Sequence, residues 1–231
     1  MRYLVTLLFA VLSVIMQAQD SYTMTIESSE PVATTGTTYR FYANMLNTTD
    51  RLSAVYGHNT SPITISAPAG VFNSTANSSW SASGINPAFI AFFPDMVDDT
   101  YATIGLEGPA SSSGLDEAAD PSMVEDSSQP ITPFFTDNGE TNLEINTSVG
   151  GSYYVLNTAS NGLPNDDMRV LIMQITTAGS LSGIINFQVF PLGVGYNAIY
   201  NSADFSEGGG EACTDPLACN YGEEAVCEYM D

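Results

Sequence analysis

The 231 residues contain no lysine, and the four cationic side chains are Arg2, Arg40, Arg51 and Arg169. Against them stand 26 Asp and Glu, for a formal net charge of -22. So few cations cannot neutralise a row of phosphates, which excludes nucleic acid as a partner. An anionic bilayer surface is excluded on the same ground. With His58 the one histidine and no lysine, the usual general base is scarce and the Schiff-base nucleophile is missing. His58 follows Gly57 and precedes Asn59-Thr60-Ser61 in what reads as a loop, and serines are so numerous that a triad drawn through it would carry no information. No G-x-S-x-G, H-E-x-x-H or P-loop spacing occurs, so an enzyme is not expected. Cysteine is scarce too: Cys213, Cys219 and Cys227 all lie in the last twenty residues. The rest of the chain must be held by its apolar core, which about 180 residues can supply.

Hydrophobic residues make up 44% of the chain and aromatics 10%, too many for a disordered acidic tail. Long apolar runs are confined to the start. Arg2 is followed by an almost unbroken apolar stretch from Leu4 to Met16, with Ala18 at a favourable cleavage position. At about thirteen residues the stretch is short of the roughly 20 needed to span a bilayer, so residues 1–18 read as a secretory signal peptide. The expected location is secreted, extracellular or at the cell surface, with no membrane insertion of the mature chain.

From Ser21 to about Tyr200 the periodicity is two. Tyr22, Met24 and Ile26 alternate with polar residues. Tyr39, Phe41, Ala43 and Met45 share one face of a strand, and Arg40, Tyr42 and Asn44 the other. Leu52, Ala54 and Tyr56, then Ile63 and Ile65, repeat the pattern, as do runs at 101–105, 143–146 and 153–156. Residues 168–177 (MRVLIMQITT) and 181–190 (LSGIINFQVF), separated by Ala178-Gly179-Ser180, read as a hairpin at the centre of a sheet. Asn86-Pro87 opens one short helix, with Asn as N-cap and Pro at the first helical position. Pro109 to Pro133 is rich in Ser, Pro and acids and shows no period, which predicts a long, mobile surface loop. The pattern as a whole predicts an all-β, antiparallel β-sandwich (jelly-roll-like) with one short helix and a long acidic loop. The sandwich is expected over residues 20–200, a Gly-rich linker over 201–210 and a partial cysteine-containing module over 211–231.

The stretches TTYRFYANM, SAVYG, INPAFIAFFPDMVDDTYATIG and NDDMRVLIMQITTAGSLSGIINFQVFPLG, in that order, resemble a recurrent β-rich domain of secreted marine bacterial proteins. The resemblance implies a β domain of a modular surface protein and no catalytic residue. Cys213-Thr-Asp-Pro-Leu-Ala-Cys219-Asn-Tyr resembles the C-T-D-x-x-A-C-N-Y module of large Bacteroidetes-type secreted proteins, although the segment to Cys227 is shorter and lacks the Asp-Asp-Gly-Ser of that module. Such modules sit between domains or before a secretion signal, which implies that the chain belongs to something longer. In an exported protein these cysteines are expected in a disulfide, Cys213–Cys219 or Cys219–Cys227, rather than around zinc.

Two kinds of binding residue stand out. Asp98, Asp99, Asp166 and Asp167 fall at strand entries of the resembling family, and hard carboxylate oxygens suit the weak calcium sites of extracellular proteins. None of the acidic runs has D-x-[DN]-x-[DN]-G spacing, and a solvated acidic surface is the leading explanation of them. Trp80 lies in the polar loop FNSTANSSWSASG, where an exposed indole could stack on a sugar ring, as could some of the twelve tyrosines. Asn47, Asn59, Asn73, Asn77 and Asn146 open N-x-[ST] sequons, which carry no functional assignment. The leading expectation is a non-enzymatic cell-surface or matrix module for adhesion or spacing, stiffened in one version by calcium. The alternative is a carbohydrate-binding module of a larger secreted protein. The partner would be a surface glycan or another surface protein.

Overall fold

A computed structural model of the chain describes residues 21–208. The expected signal peptide, the end of the expected linker and the three cysteines lie outside the described residues. The fold is an all-β sandwich of two antiparallel sheets. In chain order the strands are β1 (Thr23–Ser29), β2 (Thr37–Asn44), β3 (Arg51–Gly57), β4 (Ile63–Ser66), β5 (Tyr101–Ala102), β6 (Ser122–Val124), β7 (Asn142–Ile145), β8 (Gly151–Tyr154), β9 (Arg169–Thr177), β10 (Leu181–Phe190) and β11 (Ile199–Glu207). The helix α1 (Pro87–Ile90) has the expected start, with Asn86 accepting from the Ala88 N–H at 3.0 Å. No helix among the described residues is long and apolar enough to cross a membrane.

The smaller sheet has the order β1-β2-β9-β5. In the larger, β11 covers one edge of β10 while β3 and β4 share the other; β8 and β6 continue beyond β3, and β7 beyond β4. Asn186 fills the split between β3 and β4. Its amide donates to the carbonyls of Ser61 and Pro62, both at 2.9 Å, and more weakly to Tyr56 at 3.4 Å. The core between the sheets takes Tyr39, Phe41, Ala43 and Met45 from β2 and its end, as their alternation predicts. It meets Ile63, Ile65, Ile185, Phe187 and Val189 from the other layer. Phe41 packs edge-on against Phe205 of β11, with ring centres 5.0 Å apart.

Four expectations are corrected. The apolar runs 168–177 and 181–190 do not pair with each other: β9 belongs to one sheet and β10 to the other, so Ala178-Gly179-Ser180 is an arch between layers. Gly179 lies so close to Ala69 that a Cβ there would meet the alanine methyl at 2.8 Å. In β3 a register shift brings Val55 into the main core cluster beside Leu52, while Ala54 is buried outside that cluster and Tyr56 is only partly buried. Residues 109–133 are not a structureless loop: they hold a 3-10 turn at Ala110–Ser112, strand β6 and an Asp126–Gln129 bridge, tied down by Glu125 accepting from Ile131 N–H at 2.7 Å. Residues 201–207, expected as linker, pair along β10, because Ala203 and Phe205 still alternate toward the core.

Candidate functional site

The segment between β4 and β5 folds over the outer face of the smaller sheet. There Ala82, Ile85 and Met96 pack on Tyr42, Tyr101 and Leu171 as a second apolar cluster. A buried polar network fixes it. Gln174, fully buried on β9, donates to the carbonyls of Val97 and Asp99, each at 2.8 Å, and its Oε1 accepts from Arg40 Nε at 2.9 Å. Satisfying both ends of the amide removes the cost of burying it.

Asp98 and Asp99 are both buried, but they do different work. Asp98 Oδ1 accepts from Val32 N–H at 2.7 Å, and Oδ2 from Ala33 and Thr34 N–H at 2.6 and 2.9 Å. Three amide hydrogens thus point at this carboxylate from the β1–β2 connection. Asp99 accepts from Ser74 N–H and from Asn77 Nδ2, each at 2.6 Å. Burial pushes the Asp99 carboxyl up to about 7; these two hydrogen bonds oppose the shift and the Asp95 charge adds to it. Asp166 and Asp167 are exposed in the turn before β9, and Asp167 faces Arg169 at 3.6 Å. The four carboxylates expected to ligate calcium therefore do not share a site. Among the described residues no group of three or more His, Cys, Asp and Glu is arranged to hold a metal ion. A cation at Asp98 would also have to displace three N–H donors.

Trp80 is not an exposed platform. It is half-buried, packs against the main core and lies 6.3 Å from the Tyr153 ring. The local reason is its backbone: Ser81 bridges to Ala102, and the Trp80 carbonyl accepts from Ala102 N–H, which draws the loop onto β5. His58 stacks on Tyr56 and hydrogen-bonds Thr60 through Nδ1 at 3.0 Å, in a tight turn closed by Ser61. The sequon residues Asn73 and Asn77 are buried and already hydrogen-bonded, which closes them to glycosylation in the folded chain.

Concave surface occurs elsewhere. A cleft of about 540 Å³ opens beside Arg169, between β2, β9 and residues 160–167. The Arg169 guanidinium lies 4.0 Å above the Tyr42 ring, with Nη1 2.5 Å from Glu27. Hydrogen bonding to Glu27 raises its pKa further, so its charge is fixed. Glu107 forms the far wall and is paired with Arg40 at 3.2 Å. A second cavity of about 410 Å³ shares Gly105, Glu107 and Leu115 with the first, so the two form one groove. Exposed apolar side chains collect at another place: Phe89, Phe92 and Phe93, around and just after α1, are 52%, 77% and 48% exposed.

Reasoning from the sequence missed Arg169, Glu107 and Asp50. Asp50 is fully buried and accepts from Tyr22 OH at 3.1 Å, from Leu46 and Asn47 N–H, and from Leu192 N–H at 2.8 Å. Burial and this carboxylate push the Tyr22 phenol up to about 12. The one local signal was Asn47-Thr-Thr-Asp50, a turn sequence in which the acid can reach back to Asn47. No family model, curated protein or solved structure matches the chain.

Proposed function

We propose that the chain is a non-enzymatic module of an exported cell-surface or matrix protein, acting in adhesion or as a spacer by presenting a stiff acidic sandwich. The observation that supports this reading is the internal bracing. Asp50, Asp98, Gln174 and Asn186 are buried side chains, and each ties its own strand or turn to a distant backbone segment by hydrogen bonds. Bracing of this kind suppresses local opening of long connections, which a spacer under tension requires. Most of the other acids among the described residues are exposed and keep an exported chain soluble. Phe89, Phe92 and Phe93 give the same module an apolar tip for contact with a surface partner. The resemblance to secreted marine bacterial β domains supports the same reading.

The test combines export, turnover and force. The chain expressed with residues 1–18 should reach the outside of a bacterial host. The purified chain should turn over no ester, glycoside or peptide substrate, and tandem copies should resist stretching. Turnover that co-purifies with the folded chain overturns the reading. A second reading, a carbohydrate-binding module, is favoured by the groove beside Arg169.

A further inference from the structure

We propose that the groove running along Glu107 from Arg169 binds an uncharged saccharide chain; the inference rests on the second reading and gives it a site other than Trp80. Shape comes first. The two cavities share Gly105, Glu107 and Leu115 and form an open trough whose larger part lies within the roughly 300–1,000 Å³ usual for ligand sites. An open trough suits an extended chain better than a compact cofactor.

Chemistry narrows the class. Arg169 Nη2 is 3.6 Å from Asp167, outside hydrogen-bond reach, so a donor remains free beside an exposed carboxylate acceptor. A diol matches that pair, since one hydroxyl accepts from the guanidinium while its neighbour donates to the carboxylate. Leu115, half-exposed, and Pro164 supply apolar wall for the C–H face of a sugar ring.

Charge then excludes the acidic members of the class. Arg169 stands between Glu27 and Asp167, and Arg40 is paired with Glu107, so the site has no surplus positive charge to hold a uronate or a sulfate. The chain as a whole, at -22, repels both. The site is also set before a ligand arrives. Tyr42 and Glu27 hold the guanidinium, and Arg40 holds Glu107, so little ordering remains to oppose binding.

The experiment uses the full chain in affinity electrophoresis through gels containing a soluble β-glucan, a galactomannan or a xylan, with a sulfated polysaccharide and a lysine-rich peptide as rival probes. Wild type should be retarded by at least one neutral polysaccharide. Leu115→Ala and Asp167→Asn should each weaken that retardation about ten-fold, the loss of about one contact or hydrogen bond. Both side chains are exposed, so the melting temperature should hold in each variant; weaker binding without weaker folding is an outcome that a structural role does not produce. Retardation equal in wild type and both variants overturns the groove while leaving a carbohydrate-binding module in place. Failure on every neutral polysaccharide overturns both, as does retardation by the sulfated polymer or the peptide alone.

Discussion

Asp98 Oδ2 accepts a 2.6 Å hydrogen bond from the backbone N–H of Ala33, 65 positions earlier in the chain. With Val32 and Thr34 bound to the same carboxylate, the acid closes the connection between β1 and β2 over the segment that leads into β5. An acidic residue in an acidic protein is here an internal brace, not part of the solvated coat.

Asp98→Asn keeps the shape but turns an amide NH₂ toward backbone donors, losing at least one charge-assisted bond. Urea unfolding should show a loss of about 2–3 kcal/mol. The loss should be the same in calcium and in chelator at constant ionic strength. If wild type alone gains stability from calcium, Asp98 is a ligand after all and the brace account is wrong.

Asn186 offers a sharper substitution. Its amide faces the carbonyl oxygens of Ser61 and Pro62. Asn186→Asp replaces the donor by a carboxylate of the same size aimed at acceptors, inside a site that is 2% exposed. A loss of about 3–5 kcal/mol is expected at neutral pH, falling as the carboxyl is protonated in acid. An Asp variant as stable as wild type at neutral pH would show that Asn186 does not hold the split between β3 and β4.

Much of the architecture was legible because alternation survives wherever one face of a strand is wet. Tyr39, Phe41, Ala43 and Met45 could be assigned to the core on that basis. The pairing of β9 was not legible for the converse reason. Leu171, Gln174 and Thr176 on its outer face are as buried as Val170, Ile172 and Ile175 on its inner one, so nothing in the pattern says which neighbour it takes. A three-residue connector fits a hairpin and an arch equally, and the contact that decides, Gly179 against Ala69, is 110 positions apart in sequence. The surroundings of Asp98 and Trp80 were not legible through the same blindness to burial. Asp98 is spent on three backbone amides, and Trp80 is drawn onto β5 by its own carbonyl. Arg169 was visible in sequence only as one of four cations, because Glu27 and Tyr42 meet it only through the pairing of β1, β2 and β9.

Gly183 separates steric cause from backbone cause. In the β10 ladder a Cβ at this position would run into the Thr64 carbonyl oxygen and lie 2.9 Å from its carbon and 3.0 Å from Ile65 Cα. All three atoms are backbone, so Gly183→Ala must part β4 from β10, at an expected cost of about 3 kcal/mol or more. Gly114 is the control: it has φ +74° but nothing within 4 Å, and Gly114→Ala should cost only about 1 kcal/mol. Equal losses in the two variants, measured by urea unfolding, would remove the argument from contact.

Asp99 makes stability depend on pH in the opposite sense to a paired carboxylate. Its carboxyl titrates near 7 in the folded chain, against an ordinary value of 3.8. Between about pH 4 and pH 7 the unfolded chain has released a proton that the folded chain still holds, so raising the pH favours unfolding. The contribution is whole below about pH 4, is lost as pH rises through 7, and is flat above. The gap corresponds to a loss on the order of 4 kcal/mol. Repulsion among the surface acids runs in the same direction, but salt screens it and leaves burial of Asp99 untouched. At high, constant ionic strength, wild type should therefore still lose stability between about pH 5 and pH 8. Asp99→Asn carries no proton to lose and should be nearly flat over that range, even if the amide is less stable throughout. A variant with the full wild-type slope would place the titration on other carboxylates and leave Asp99 ionised in its bed of Ser74 and Asn77.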